Sequence, residues 1–277
     1  MGYSRHFGYF TILCACLVLL GSCGGAQKSA QPADEADVNV LYGKAAQALD
    51  EGNYVSASQL FEEVERQHPY SQWSTQAQLM AAYAYYENGS YNEAIIALDR
   101  FIQLHPGNDN IDYAHYLRAL SFYDQISDVR RDQAMTDQAL KALETLARRF
   151  PDSRYTRDAM LKRDLTLDHL AGKEMEVGRY YLNRGHVNAA INRFLVVIEN
   201  YQTTTHVAEA LHRLVESYLT LGLTQEATRV AAVLGYNYPG DEWYERSYAL
   251  LDDEQRAEIL EARGFLDRTV ESLFKPE

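Results

Sequence analysis

Cysteine is nearly absent: the three in 277 residues are Cys14, Cys16 and Cys23, and no thiol follows them. The body of the chain therefore cannot hold a disulfide, a cysteine nucleophile or a cysteine-ligated zinc. Basic residues are also scarce, 26 against 39 acidic ones, for a formal net charge of -13. Gripping a phosphate backbone needs clustered Lys and Arg, so no nucleic acid is expected as a partner, and purely electrostatic attraction to anionic lipid is disfavoured by the same balance. A membrane-spanning helix needs about 20 apolar residues, and the run from Phe7 to Leu20 has 14. Catalytic signatures are missing too: there is no H-E-x-x-H, no G-x-S-x-G, no Walker loop and no dinucleotide fingerprint. His212 and Glu216 share a helix face and are expected to make a solvated contact rather than to ligate a metal. No enzyme activity, metal or catalytic residue is expected.

What is present begins with a leader. Arg5 gives a weakly positive start, the 14-residue apolar run comes next, and it ends in Leu20-Gly21-Ser22-Cys23. A branched apolar residue, two small residues and a cysteine directly after such a run resemble the bacterial lipobox. The resemblance implies that 1–22 is a lipoprotein signal peptide and that Cys23 becomes the first residue, carrying diacylglycerol on sulfur and an N-acyl chain, with no other cofactor. Each buried methylene adds about 0.8 kcal/mol, so several chains anchor durably where one would not. Gly24 rather than Asp after the cysteine implies the outer rather than the inner membrane. Residues 23–37 are small and polar and read as a flexible tether, with a root-mean-square span of about 20 Å for a Gly-rich coil.

From Val38 the sequence repeats itself. Gly52, Tyr54, Ala57, Phe61 and Pro69 recur as Gly89, Tyr91, Ala94, Leu98 and Pro106, a shift of 37 at every position. Gly185, Val187, Ala190 and Phe194 return 37 later as Gly222, Thr224, Ala227 and Ala231, followed by Pro239. A middle copy keeps Ala139, Leu143 and Pro151, with a first helix expected over Asp112 to Gln125 and a longer loop over Ser127 to Thr136. Eight residues beyond the period fall in that loop. Fourteen more fall between Pro151 and Gly185, where the helical pattern of Ala159 to Gly172 is expected to make a longer connection. Each unit reads as helix, turn, helix, stop: the Gly allows a left-handed turn, the Ala lets two helices approach, and the Pro ends the second helix. No unit can bury its apolar face alone, so the units must stack.

These offsets resemble the tetratricopeptide repeat, which implies an all-α superhelix of five helical hairpins. Departures are the 37-residue pitch, the lack of Trp in the first helices, and Gln202 in place of a fourth Pro. Residues 38–155 hold repeats 1 to 3, residues 156–240 hold repeats 4 and 5, and 241–277 reads as a helical capping extension, with helices over Asp241 to Leu251 and Asp253 to Leu273. That leaves too little chain for a catalytic domain. The first-helix positions lining the concave face of such arrays map to Tyr42, Tyr83, Tyr86, Tyr113, Tyr116 and Tyr123. Tyrosines offer rigid apolar area and a hydroxyl, a combination that grips peptides. The alternative is that several of them pack against the neighbouring helix. The Lys and Asn clamp by which some arrays hold a terminal carboxylate is missing, its positions holding Tyr42, Ala46, Leu79 and Tyr83.

Beyond generic repeat residues, several segments are more specific: His68-Pro69-Tyr70-Ser71, Ala82-Tyr83-Ala84-Tyr85-Tyr86, Ala97-Leu98-Asp99-Arg100-Phe101-Ile102, Asn110-Ile111-Asp112-Tyr113, Phe150-Pro151-Asp152-Ser153-Arg154-Tyr155, Tyr180-Tyr181 and Asn192-Arg193. With the lipobox and tether they resemble the BamD family of outer-membrane β-barrel assembly lipoproteins, over roughly residues 38 to 234. The resemblance implies a lipid-anchored scaffold at the outer membrane, facing the periplasm, that binds unfolded barrel precursors in its amino-terminal half. It also implies docking of the carboxy-terminal repeats on the periplasmic domains of the core barrel subunit, with Arg193 at the interface, and company with other assembly lipoproteins. A different envelope scaffold, linked to peptidoglycan or division, is the alternative.

Overall fold

The computed structural model describes residues 37–257 and 259, and no strand occurs among them. Helices pair into five hairpins: α1 (Val38–Asp50) with α2 (Tyr54–Gln67), α3 (Gln72–Glu87) with α4 (Tyr91–Leu104), α5 (Ile111–Tyr123) with α6 (Ala134–Arg149), α7 (Thr156–Asn183) with α8 (Val187–Asn200), and α9 (Val207–Thr220) with α10 (Thr224–Asn237). A shorter α11 (Glu242–Leu250) packs on α9 and α10. The chain is thus a tetratricopeptide-type array with a helical extension. Leu20, Gly21, Ser22 and Cys23 lie outside the described residues, as does most of the helix expected to reach Leu273. No described helix is long and apolar enough to cross a membrane.

The turns arise from backbone chemistry. Gly52 stands at φ +73°, its N–H on the Leu49 carbonyl at 3.0 Å, and the Asn53 N–H reaches Ala48 at 2.8 Å. This pair of bonds satisfies carbonyls that a helix end leaves open, and it needs a left-handed residue that glycine adopts without strain. The same two bonds close the turns at Gly89, Gly185 and Gly222. Second helices stop at the residue before proline, where the proline ring excludes the helical region: His68, His105, Phe150 and Tyr238 all have φ near -130° and ψ between 53° and 61°. Tyr201 takes φ -127° and ψ 41° although Gln202 comes after it. There the Thr204 hydroxyl donates to the Tyr201 carbonyl at 2.8 Å, and the tyrosine ring packs into the core.

The repeat positions form the core. Ala57, Ala94, Ala139, Ala190 and Ala227 are each 0% exposed, and so are their partners four residues on, Phe61, Leu98, Leu143, Phe194 and Ala231. With no atom beyond Cβ, each alanine lets its two helices approach closely.

The fourth hairpin departs from expectation. Instead of a separate connection over Ala159 to Gly172, α7 is one helix of 28 residues. Fourteen extra residues make about 3.9 turns and about 21 Å of added length, so the apolar stripe returns close to its starting side. The first half of α7 packs on α5 and α6, and its second half packs on α8. Gly178 allows this closeness, since a Cβ there would lie 2.4 Å from Phe194 Cε1. The other insertion meets α7 at its middle: a Cβ on Gly172 would contact Val129 of the α5–α6 loop at 3.7 Å and His206 of the α8–α9 turn at 3.2 Å. Arg130 in that loop pairs with Glu176 at 3.2 Å. The loop insertion therefore covers the segment of α7 that the helical insertion lengthens. Helix α5 also starts and ends slightly earlier than expected, at Ile111 and Tyr123.

The contact of His212 with Glu216 is not solvated, as the sequence suggested, but buried under α11. His212 is 4% exposed, its Nδ1 lies 2.8 Å from Ser247 Oγ and its Nε2 3.6 Å from Glu216. Trp243 lies over the imidazole at 5.2 Å, and Leu251 and Ile259 close onto Val215, Ala227 and Ala231.

Candidate peptide-binding groove

The first helices α1, α3, α5 and α7 stand side by side, and the first three of them carry the tyrosines. All six of the expected set are half-buried, with part of each ring packed and part open. Tyr86 Oη donates to Asp124 Oδ2 at 2.6 Å, and Tyr116 Oη donates to Asp158 Oδ2 at 2.6 Å. The acceptors stand 38 and 42 residues on, one repeat along the array. Asp158 also receives Lys162 Nζ at 2.7 Å, and that ammonium lies 5.8 Å from the centre of the Tyr123 ring. Tyr83 hydrogen-bonds Glu87. Tyr113 packs on Tyr155 at 5.2 Å, and Tyr116 stacks on the same ring at 4.8 Å and 18°. Tyr113 also lies within electrostatic reach of the Tyr83 phenol and of Glu87.

Tyr113, Tyr116 and Tyr123 thus belong to one chain of contacts through Tyr155, Asp158 and Lys162, and Glu87 acts electrostatically on Tyr83, Tyr86 and Tyr113 together. Tyr42 stands apart: its ring lies between the first hairpin and α3, 5.3 Å from Phe61 and 4.6 Å from Trp73, so a first helix does carry a tryptophan, contrary to the expectation from the sequence. Three of the hydroxyls, those of Tyr83, Tyr86 and Tyr116, are spent on the protein's own carboxylates. Burial, and then the adjacent Asp124 and Asp158, hold the phenols of Tyr86 and Tyr116 well above their ordinary range, and burial does the same for Tyr113. The Lys162 ammonium and then the Tyr116 hydroxyl lower the carboxyl of Asp158. What the surface offers a ligand is therefore ring faces and edges in a fixed, carboxylate-braced row.

Sequence mapping missed two members of this row. Tyr155 caps α7 from the α6–α7 turn and so lies outside the first-helix positions, and Arg154 lies beside it. The Arg154 guanidinium hydrogen-bonds Tyr155 Oη and stands 4.7 Å from the ring centre. Ser153 fixes the turn, donating to Asp112 Oδ2 at 2.6 Å and accepting the Tyr155 N–H at 3.2 Å. Both residues belong to the specific segment Phe150 to Tyr155, which was the available signal.

Arg193 lies elsewhere, on α8. Its Nη1 is 3.0 Å from Glu174 of α7, with 44% of the side chain exposed. It borders a hollow of about 220 Å³ with Tyr181, Ala189, Asn192 and Val196. Tyr181 and Ala189 also line a second hollow of about 600 Å³ at the α7–α8 turn, with His186, Val187 and Leu221. The carboxy-terminal half therefore presents an open, mixed apolar and cationic surface, distinct from the tyrosine row.

Known proteins place the chain. The YfiO family model, described as outer membrane lipoprotein, matches residues 34–234. An outer membrane protein assembly factor BamD from Caulobacter vibrioides is 53% identical over 84% of this chain and 76% of its own length. One from Rickettsia prowazekii is 45% identical over 88% of this chain and 98% of its own. Among solved structures, the tetratricopeptide domain of P58(IPK) is similar at 15% identity and a TM-score of 0.40, with 86% of this chain and 67% of that chain covered. The chain belongs to the YfiO, or BamD, family of outer membrane lipoproteins.

Proposed function

We propose that the chain is a non-catalytic component of the outer-membrane β-barrel assembly machinery, held at the membrane by acyl chains on Cys23 and facing the periplasm. The amino-terminal half binds unfolded barrel precursors along the row of Tyr83, Tyr86, Tyr113, Tyr116 and Tyr123. The carboxy-terminal half docks on the periplasmic domains of the core barrel subunit through the surface around Arg193, and other assembly lipoproteins join the complex. The observation that carries the first part is the braced tyrosine row: Tyr86 and Tyr116 held by carboxylates of the next repeat and Tyr113 packed on Tyr155 give contact area at little entropic cost. A half-exposed Arg193 already oriented by Glu174 supports the second part, since a rim charge of this kind sets register and partner choice.

Two experiments test the reading. Replacing Tyr83, Tyr86 and Tyr116 together by Ala should weaken binding of peptides from barrel precursors by about tenfold or more, each aromatic anchor contributing on the order of 1 kcal/mol, with helical content unchanged by circular dichroism. Unaltered affinity would remove the groove. Arg193→Glu should abolish co-purification of the core subunit from detergent-solubilised membranes, and retention would refute that docking residue.

A further inference from the structure

The turns after α2, α4, α6, α8 and α10 share one geometry. In each, the N–H of the fourth residue donates to the carbonyl of the first: Ser71 to His68, Asn108 to His105, Ser153 to Phe150, Thr204 to Tyr201 and Asp241 to Tyr238, at 3.0 to 3.2 Å. The third residue of each turn is Tyr70, Gly107, Asp152, Thr203 or Gly240. Four of these are small or polar, as a solvated turn favours. Tyr70 is an aromatic ring and is 101% exposed. Pro69 fixes the backbone ahead of it, and the Ser71 hydroxyl accepts the Ser74 N–H at 3.1 Å behind it, so the ring stands clear of the body on a rigid turn. A ring without packing partners adds nothing to the fold and leaves apolar surface in water; its use lies outside the chain.

First helices begin on the edge of the array that carries these turns, and second helices end there, so α1 starts beside Tyr70. The carboxylate of Asp37, just ahead of α1, is within electrostatic reach of His68 in the same turn. Residues 24–37, fourteen in all, separate Cys23 from Val38, and a chain of that length reaches at most about 50 Å. Val40 in the first turn of α1 and Leu104 at the end of α4 add apolar side chains on this edge, 53% and 54% exposed. We propose that the α2–α3 turn is a membrane footprint: with the acyl chains of Cys23 in the bilayer, Tyr70 enters the headgroup region of the same leaflet, with Val40 and Leu104 beside it. Tyrosine suits that boundary, since its ring is apolar and its hydroxyl finds water or headgroup oxygen. One ring and two aliphatic side chains do not hold a free protein on a bilayer, but a short tether keeps the local concentration in the millimolar range, where a weak contact suffices. The contact is apolar rather than ionic, because the acidic balance of the chain opposes anionic lipid, and it is therefore insensitive to salt. The footprint sets which edge of the array faces the membrane. The inference rests on the Cys23 anchor proposed above.

The test uses the acylated chain in phosphatidylcholine vesicles with no other protein present. No thiol follows Cys23, so a single introduced cysteine takes a fluorophore: Gln72→Cys beside the turn, or Glu51→Cys at the opposite edge of the first hairpin. Flotation with the vesicles reads the anchor, and iodide quenching of the fluorophore reads the footprint. The label at Gln72→Cys should be protected and the one at Glu51→Cys open to the quencher, and high salt should change neither. Tyr70→Ser should lower the docked-to-free ratio about tenfold, the loss expected for one buried aromatic side chain, with flotation and helical content unchanged. Tyr70→Trp should keep the protection. A chain that floats with both labels equally quenched, or whose protection at Gln72→Cys survives Tyr70→Ser, overturns the footprint and leaves the anchor standing. Protection that arises only after protein partners are added assigns the turn to a protein and overturns the footprint too. If the chain does not float, the anchor fails and the footprint with it.

Discussion

At the level of single residues, consequence depends on the space and charge around each side chain. Gly178 has no room for even a methyl group, because its Cβ would fall within 2.4 Å of the buried Phe194. Gly178→Ala should therefore cost about 1 to 3 kcal/mol by overpacking, read as a lower urea midpoint with an unchanged slope. His115 is 7% exposed and faces Arg149 at 3.4 Å. Burial first, and then Arg149 and Arg118, push its pKa down to about 4 from 6.5. The unfolded chain then binds the proton more readily, so stability is complete above about pH 6.5 and declines as pH falls toward 4. His115→Gln should flatten the denaturation profile across that window, and an unchanged slope there would mean that another group governs it. Glu216 behaves differently: His212, with help from Arg213, holds its carboxyl down to about 2 from 4.5. Its contribution is present above about pH 4.5 and is lost as pH falls through 2, a separate acid limb that Glu216→Gln should remove.

At the level of elements, the repeats were legible because their determinants are local. A glycine that must take φ near +73°, a proline that forbids helix at the residue before it, and an alanine at a helix crossing act within a few residues of themselves. Gly89→Ala should cost about 1 to 2 kcal/mol through the left-handed backbone alone, even though a Cβ there meets nothing within 4 Å. Thermal unfolding of Gly89→Ala beside Gly89→Asn, which tolerates that conformation better, separates strain from crowding. Helix α7 was less legible. A pattern that continues through Ala159 to Gly172 shows helix, but not whether a break separates it from the segment leading to Gly185, and only packing of α6 on one half and α8 on the other keeps it whole. The role of the α5–α6 loop was likewise hidden, since Val129 and Gly172 are brought together by the fold and share no motif.

For the whole molecule, stacked hairpins give stability that is nearly a sum of neighbouring contacts. The five buried clusters run along the chain in order, each built from adjacent helices. Ending the chain at Gly240 would remove α11 and with it the cover over Leu211, Leu214 and Val215 and the Ser247 partner of buried His212. Hydrogen exchange on such a truncation should speed up in α9 and α10 and stay near wild type in α1 to α4. Uniform loss of protection would show that the array folds as one unit instead. Because α11 covers the last hairpin and not the tyrosine row, such a truncation should also spare peptide binding by the amino-terminal half.

The sequence by itself determined the helical hairpins, their number, the buried alanines and the family, because those depend on residue identity at fixed short offsets and on runs of specific residues. Tertiary structure decided which side chains face each other across repeats: Tyr86 with Asp124, Tyr116 with Asp158, His212 with Ser247, and Tyr155 with Tyr113 and Tyr116. Most of these pairs lie 35 to 42 residues apart, beyond the reach of any local rule. The rotation between stacked hairpins sets them, and it is fixed only when neighbouring apolar faces close.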